Sequence, residues 1–451
     1  MLRQILLFIF LSCSVVLLKA QDNMSVLYHT HASTQASFIL PSKLGIDEKT
    51  NTIILPILPN IYTFAGNNFI SYKNTYAILR GGSDGAEAIE TTVKKLHKRN
   101  SIATGFDYDF FHLYLRLGKG EKGNKKETIS LDFYTRVRTR GHLFFSKEFG
   151  EVLWYGNRPY AGKTIDMNPL GIFFQSWLEY GAGTAFNVID NENLKLRIGV
   201  KARYLQGIAC IKNDIEKIDF TTEQDGKYME ISTKYNIYTS NIDSTFRLKP
   251  QGHGWAGDVG ATALLGEKFE VSLGITDLGY IKYKSNVKVV SLDTTIRYEG
   301  VAFKDSDDDI HIDTIEGVFK PRTITNGGHF SSSLGAKITL QGAYKTGFKT
   351  TKKGYEYAAH TIYFTYVQGL QNNAGTITHP YFSGAYNFTV GHLCAGGFLN
   401  YGGFYKSSFG IFTSVQFGFF RWGITASNFA PMILRNTPLG AEVSTNMSFA
   451  F

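Results

Sequence analysis

The sequence predicts an all-β protein: a transmembrane antiparallel β-barrel of about fourteen strands, within a range of roughly twelve to sixteen, with an N-terminal plug-like segment and one or two short helices. Three observations predict it. The last eleven residues, AEVSTNMSFAF, alternate strictly, with Ala441, Val443, Thr445, Met447, Phe449 and Phe451 on one side and Glu442, Ser444, Asn446, Ser448 and Ala450 on the other. After an apolar leader, no later stretch supplies the run of about eighteen apolar residues that a membrane helix needs, so any crossing is made by strands. Alternating segments joined by tight turns recur along most of the chain.

The leader comes first. Residues 1–20 carry Arg3, an apolar run from Ile5 to Leu18, and Ala20 before Gln21. This is the layout of a secretory signal peptide, and its apolar run is short for a spanning helix. Cys13 lies inside that run and is read as part of the discarded segment. The expected organisation is a signal peptide over 1–20, a plug or periplasm-facing segment over 21–60, and the barrel over 61–451.

The strands follow in order. Near 102–117 the first is expected, and Ile129 to Arg138 then sets Ile129, Leu131, Phe133, Thr135 and Val137 against Ser130, Asp132, Tyr134, Arg136 and Arg138. One of those faces suits lipid and the other would be ruinous there. A strand near 170–187 leads through the turn at 190–193 into Leu194 to Ile208, where Leu194, Leu196, Ile198, Val200, Ala202 and Tyr204 oppose Lys195, Arg197, Gly199, Lys201 and Arg203. Val259 to Leu265 and Phe269 to Ile275 form a hairpin about Gly266, Glu267 and Lys268. Further strands are expected near 225–240, 288–303, 330–342, 357–369, 378–389, 391–401, 407–417, 419–428 and at the C-terminus, where Phe449 and Phe451 would serve as the barrel-assembly signal. Asp84 to Arg99 and Phe145 to Tyr155 have helical spacing instead, and interruptions of this size in a barrel are loops, lids or plugs.

Composition agrees. A mean hydropathy of −0.12 would suit a soluble protein, but alternating strands average out in the same way. Aromatic residues make up 14% and there are 46 glycines, as interfacial girdles and twisted sheets require. Removing residues 1–20 takes away Arg3 and Lys19 and no acids, which lowers the net charge from +9 to +7. Such an excess could face lipopolysaccharide phosphates or simply be solvated. Cys210 and Cys394 fall on separate predicted strands, where a disulfide is possible after export but two isolated core thiols are favoured.

Several motifs invite chemistry. GHGWAG at 252–257 has dinucleotide-loop spacing, yet it leads into a strand and not a helix, so a nucleotide site is not expected. DSDDDIHIDTIE at 305–316 places Asp305, Asp307, Asp309, Asp313 and Glu316 at calcium-loop positions, but Ile310 stands where a glycine is needed; a solvated acidic loop is favoured and no metal is assigned. His29 and His31 alone are weak evidence for a metal. No Gly-x-Ser-x-Gly elbow, zinc-protease helix or phosphate loop occurs. The sequence therefore offers no catalytic residue and no cofactor.

The inward charges are the remaining candidates. Arg136, Arg138, Lys195, Arg197, Lys201 and Arg203 could line an anion passage. Alternatively they pair with Asp107, Asp109, Asp132 and Glu179 in ladders that satisfy a polar interior, which is the favoured reading because buried charges need partners.

LRIGVKARYLQGIACI (196–211) and GHGWAGDVGATALLGEKFEVSLGITDLGYIKYKSN (252–286) resemble the central signature of a Gram-negative, Bacteroidetes-type family of outer-membrane barrels labelled only as a domain of unknown function. VLYHTHASTQASFILPS (26–42) and IILPILPNIYTFAGNNFISY (53–72) resemble its mature N-terminus, with Leu40-Pro41 where relatives have Asn-Pro. More distantly the architecture is similar to long-chain fatty acid transporters with N-terminal plugs and to type IX secretion-associated barrels. The resemblance implies an integral outer-membrane location and brings no catalytic residues.

The expected function is a channel or transporter for a small solute, a hydrophobic one included. A non-conducting scaffold for a secretion or cell-surface complex is the alternative, and a barrel-embedded hydrolase a more remote one. The expected partners are outer-membrane lipid and lipopolysaccharide, the assembly machinery during biogenesis, and a solute or a surface or periplasmic protein; no nucleic acid is expected.

Overall fold

A sheet immersed in hydrocarbon has to leave no edge amide unpaired, and ring closure achieves this. In the computed structural model the strands close in that way, into a 14-strand antiparallel barrel. The structure describes residues 34–46, 50–58, 60–118, 129–225, 227–242, 249–298, 322–325, 327–350, 356–373, 376, 378–403, 405–427, 436 and 438–451. The signal-peptide region, His29, His31 and the acidic run at 305–316 lie outside them.

In chain order the strands are β1 (Thr52–Ile54), β2 (Ile61–Ser71), β3 (Asn100–Leu117), β4 (Ile129–Phe145), β5 (Lys163–Asp166), β6 (Gly171–Asp190), β7 (Leu194–Thr222), β8 (Met229–Ser240), β9 (Gly252–Leu265) and β10 (Phe269–Tyr283). They continue with β11 (Val287–Tyr298), β12 (Arg322–Thr325), β13 (Phe330–Ser333), β14 (Lys337–Thr350), β15 (Glu356–Gly369), β16 (Tyr381–Val390), β17 (Leu393–Gly402), β18 (Tyr405–Phe417), β19 (Phe420–Ser427) and β20 (Pro438–Ala450). Collinear β1 and β2 act as one interrupted stave between β3 and β20, and the ring proceeds through β4, β6, β7, β9, β10 and β14 to β19. Because Thr52–Ile54 already pairs in the wall, the barrel begins before the expected boundary at residue 61.

The interruption between β1 and β2 is bridged by a side chain. Asn60 Nδ2 donates to the Met447 carbonyl at 2.9 Å, and the Met447 N–H donates to Asn60 Oδ1 at 2.9 Å. A carboxamide has the donor and acceptor of a peptide group, so it continues the ladder where the backbone turns away. The Asn60 carbonyl accepts from the Asp109 N–H on β3 at 3.0 Å, which ties the other side.

Tight turns at 191–193, 266–268, 391–392 and 418–419 gather at one end, together with β1 and the end of β20. The other end carries α1 (Tyr72–Arg80), α2 (Gly82–Lys94) and α3 (Lys147–Tyr155). Ser71 and Ser146 cap α1 and α3, accepting from the N–H groups of Asn74 and Phe149. Gly81 and Gly156, at φ 73° and 74°, terminate the same two helices. The expected helix at 84–99 is thus shorter and starts earlier, and α1 was not foreseen. No helix among the described residues is long and apolar enough to cross a membrane.

Two expected strands are real but leave the ring. β7 overshoots the wall, and its outer half, residues 210–222, pairs with β8, which pairs with β11, while β5 and β12 flank this projecting sheet. The expected strand 330–342 is likewise two strands, β13 and β14, both paired with β10.

The wall is inverted relative to a soluble protein. On β4, Ser130, Asp132, Tyr134, Arg136, Arg138, Arg140 and His142 are buried, while Phe133 points out and is 44% exposed. Across β6, β7, β9 and β10, Tyr180, Tyr204, Trp255 and Tyr280 are successive cross-strand neighbours on the outside. Val259, Val271, Leu273, Leu340, Ile362, Phe364, Leu399 and Ile411 continue the exposed apolar surface around the ring. Water would oppose so extensive an apolar exterior, and hydrocarbon would not.

Candidate functional site

The interior is assembled from one face of each strand, so its chemistry follows from register. Gly199 on β7, Gly260 on β9 and Gly274 on β10 are direct cross-strand partners, which leaves a side-chain-free trough across three strands. The N-terminal segment sits in it. A Cβ on Gly199 would lie 2.3 Å from the Pro41 carbonyl carbon, and one on Gly274 would lie 3.0 Å from Leu40 Cδ2. Only glycine admits backbone this close.

Polar contacts fix the segment on both sides of the trough. Ser42 and Thr262 share a hydrogen bond at 2.8 Å, and Thr262 donates onward to Ser272. The Leu44 carbonyl accepts from Arg197 Nη2 at 2.6 Å and Nε at 3.1 Å, while Lys43 meets Glu270 at 2.6 Å. Lys345 reaches the same Glu270 at 2.7 Å. Further in, Lys201 Nζ donates to Ser37 at 2.8 Å and to Asp132 at 2.5 Å. The Phe38 ring lies 4.0 Å from the Arg136 guanidinium and 4.6 Å from the Lys201 ammonium, an attraction that strengthens away from water.

Beside this segment lies a belt of paired charge. Arg136 bonds Glu179 through Nε at 2.6 Å and Nη2 at 2.5 Å. Arg138 and Arg203 both donate to Asp277 Oδ1 at 2.8 Å, Arg203 also reaches Asp258 at 2.5 Å, and Arg140 clasps Asp107 with both terminal nitrogens, at 2.5 and 2.9 Å. Asp277 gets there through a bulge: the β9–β10 register slips between Ile275 and Leu278, and Asp277 takes φ 60°. Its N–H then donates to Asp258 at 2.7 Å, which offsets the closeness of two carboxylates. Pairing of this density satisfies buried ions and leaves little net charge to attract a counter-ion.

Of the residues singled out in the sequence, Asp107, Asp109, Asp132, Arg136, Arg138, Arg197, Lys201 and Arg203 are buried inside the ring. Lys195 is at the short-turn rim, half exposed beside Asp190 at 3.9 Å. Arg140, Asp258, Asp277, Glu270 and the glycine trough were not singled out. The trough's signal was a glycine on the polar face of three separate strands, in RIGVK, DVGAT and SLGIT. GHGWAG lies within β9, with no helix after it. Phe449 packs 5.8 Å from the rings of Phe419 and Phe420, and Phe451 is exposed. Cys210 and Cys394 form no disulfide and are buried in separate clusters. Among the described residues no group of three or more His, Cys, Asp or Glu side chains could hold a metal.

The opposite wall differs. β14 to β18 turn Ala343, Tyr363, Ala385, Phe398 and Phe412 inward, with uncharged polar side chains in the neighbouring rows.

Residues 46–426, which span the trough strands and nearly the whole ring, match a family model described as "Family of unknown function (DUF5723)". The chain belongs to this family. No curated protein matches it. Among solved structures the chain is similar to the Pseudomonas putida toluene transporter TodX (8% identity, TM-score 0.45, covering 96% of this chain and 99% of that one). It is also similar to the Ralstonia pickettii toluene transporter TbuX (10%, 0.44, 96% and 99%) and to a Pseudomonas aeruginosa FadL homologue (9%, 0.39, 94% and 93%). No residue role is carried over from them, so the interior of this family member is read from its own side chains alone.

Proposed function

We propose that this family member is an integral outer-membrane barrel through which a small solute passes, with the segment around residues 34–46 as its plug. The carrying observation is the seating of Leu40-Pro41-Ser42 in the glycine trough, inside a ring whose exposed surface is apolar and whose buried surface is polar. Strand residues are not normally surrendered to glycine in three adjacent staves, because glycine weakens a strand. The arrangement makes sense where a separate piece of chain has to fit inside the wall. Short turns at one end and helices and a projecting sheet at the other support a reading in which the plug end faces the periplasm, since outer-membrane barrels have short periplasmic turns. Lipid and lipopolysaccharide are then the partners of the apolar belt.

A scaffold reading rests on one specific observation, the dense pairing of Arg136, Arg138, Arg140 and Arg203, which fills much of the charged wall. Uptake by liposomes containing the full chain or a chain lacking residues 21–46 separates the two. Faster uptake after deletion supports the plugged channel; silence in both forms supports the scaffold. The reading assigns no catalytic residue, and labelling by a serine-directed probe would point to a hydrolase instead.

A further inference from the structure

The wall facing the charged strands carries a row that the ion pairs do not explain. Gln341 on β14, Thr365 on β15, Ser383 on β16 and Asn400 on β17 are consecutive cross-strand partners, so their side chains form one inward ribbon. All four are buried, Asn400 the most exposed at 5%. Gln341 donates to Thr365 at 2.9 Å and Asn400 donates to Ser408 on β18 at 3.1 Å, which turns the amide nitrogens toward the wall. Among the described residues, Gln341 Oε1, Ser383 Oγ and Asn400 Oδ1 meet no hydrogen-bond partner, nor does Thr361 Oγ1 two rows toward the short-turn end. Buried polar atoms are almost always satisfied, so several open ones in register ask for a group that completes them.

Their chemistry limits that group. The open set is made of two carbonyl-type acceptors, which want donors, and two hydroxyls, which can donate or accept. A hydrocarbon supplies none. An anion would face the acceptors directly, and a cation would face Lys345, the cross-strand partner of Thr361, and Lys43, whose ammonium lies 5.4 Å from the Tyr363 ring. Between the two polar rows runs an apolar one, with Tyr363, Ala385 and Phe398 in register. Hydroxyl groups to meet the polar rows and an apolar ring face to lie on the aromatic row are found together in sugars and cyclic polyols. The N-terminal segment borders this face through Lys43.

We propose that Gln341, Ser383, Asn400 and Thr361 form a binding wall for a small uncharged polyhydroxylated solute. This deepens the channel reading and rests on it for the solute's role, but binding itself does not.

The test is equilibrium binding of radiolabelled maltose to the detergent-solubilised full chain, with glutamate, lysine and benzene as competitors of other classes. Saturable maltose binding is expected, displaced by none of the three. Ser383→Ala combined with Asn400→Leu should weaken it roughly tenfold, while Leu399→Ala on the outer face leaves it unchanged. Heat-dependent gel mobility reports whether each variant folds; if the double variant does not, the near-isosteric Thr361→Val and Ser383→Ala single variants are read in its place, each with a several-fold loss expected. Absence of saturable maltose binding, equal binding by the variants, or displacement by benzene or lysine overturns the proposal. Binding without liposome uptake overturns only the channel; maltose uptake that is insensitive to these substitutions overturns only the binding wall.

Discussion

Gly199 and Pro41 touch so closely that a single methyl group at Gly199 would sit 2.3 Å from the Pro41 carbonyl carbon. The obstacle is backbone on both sides, so neither partner can turn a side chain away.

Enlarging this site should therefore unseat the N-terminal segment while leaving the ring closed. Gly199→Val is expected to cost the seated state roughly 1–3 kcal/mol, as overpacking does elsewhere. A Ser42→Cys reporter, buried in the parent, should then react with a soluble maleimide at least several-fold faster. An unchanged labelling rate would show that the trough does not hold the segment.

Asp277 anchors two guanidinium groups at once. Its loss in Asp277→Ala strands Arg138 and Arg203 with fewer counter-charges, a change that costs roughly 3–5 kcal/mol in buried pairs. The temperature at which the compact gel band converts to the slow one should fall markedly. Asp277→Asn should fall less, because the shape and one acceptor remain.

The exterior makes the opposite demand. Leu273→Arg places a charge on the exposed apolar face of β10 and should destabilise the barrel in lipid vesicles by about 2–4 kcal/mol if the site is near the bilayer midplane. Urea titration of refolded protein measures it. A neutral effect would mean that lipid does not cover this face.

Asn60 is expected to matter out of proportion to its size. Asn60→Ala removes both hydrogen bonds to Met447 and leaves the N–H and carbonyl of β20 open at the seam, worth roughly 1–3 kcal/mol. Faster hydrogen exchange at Met447 is the direct readout, and protection equal to the parent's would sink the bridging role.

The wall was legible in sequence wherever an apolar outer face alternates with a polar inner one. Phe133 against Asp132 and Val200 against Lys201 announce two faces because each neighbour meets a different medium. The signal fades where that contrast ends. Residues 210–222 of β7 leave the ring, so Lys212, Asp214 and Glu216 no longer answer to one apolar side. β2 was hidden because Gly66, Asn67 and Asn68 dilute its pattern, and β1 because three residues are too few to show any. The expected strands at 225–240 and 288–303 do form, but nothing local says that a strand stands beyond the ring.

The interior was half legible. Basic residues on β4 and β7 were visible as a face, and Glu179 and Asp132 do meet Arg136 and Lys201, yet two further carboxylates come from β9 and β10: Asp258 lies beside Arg203 in the regular β7–β9 ladder, and Asp277 is turned toward it by a bulge whose left-handed residue has no signature of its own. The trough likewise exists only once three strands are in register.

β7 runs unbroken for 29 residues, from the rim turn past Gly199, through Arg203, to Thr222 in the outer sheet. The projecting sheet and the trough are therefore built on one piece of peptide: the strand that cradles Pro41 is the strand that β8 and β5 join beyond the ring. Between the two, its pairing slips a residue at Ile208 and again at Glu216, so the strand bends where it leaves the wall.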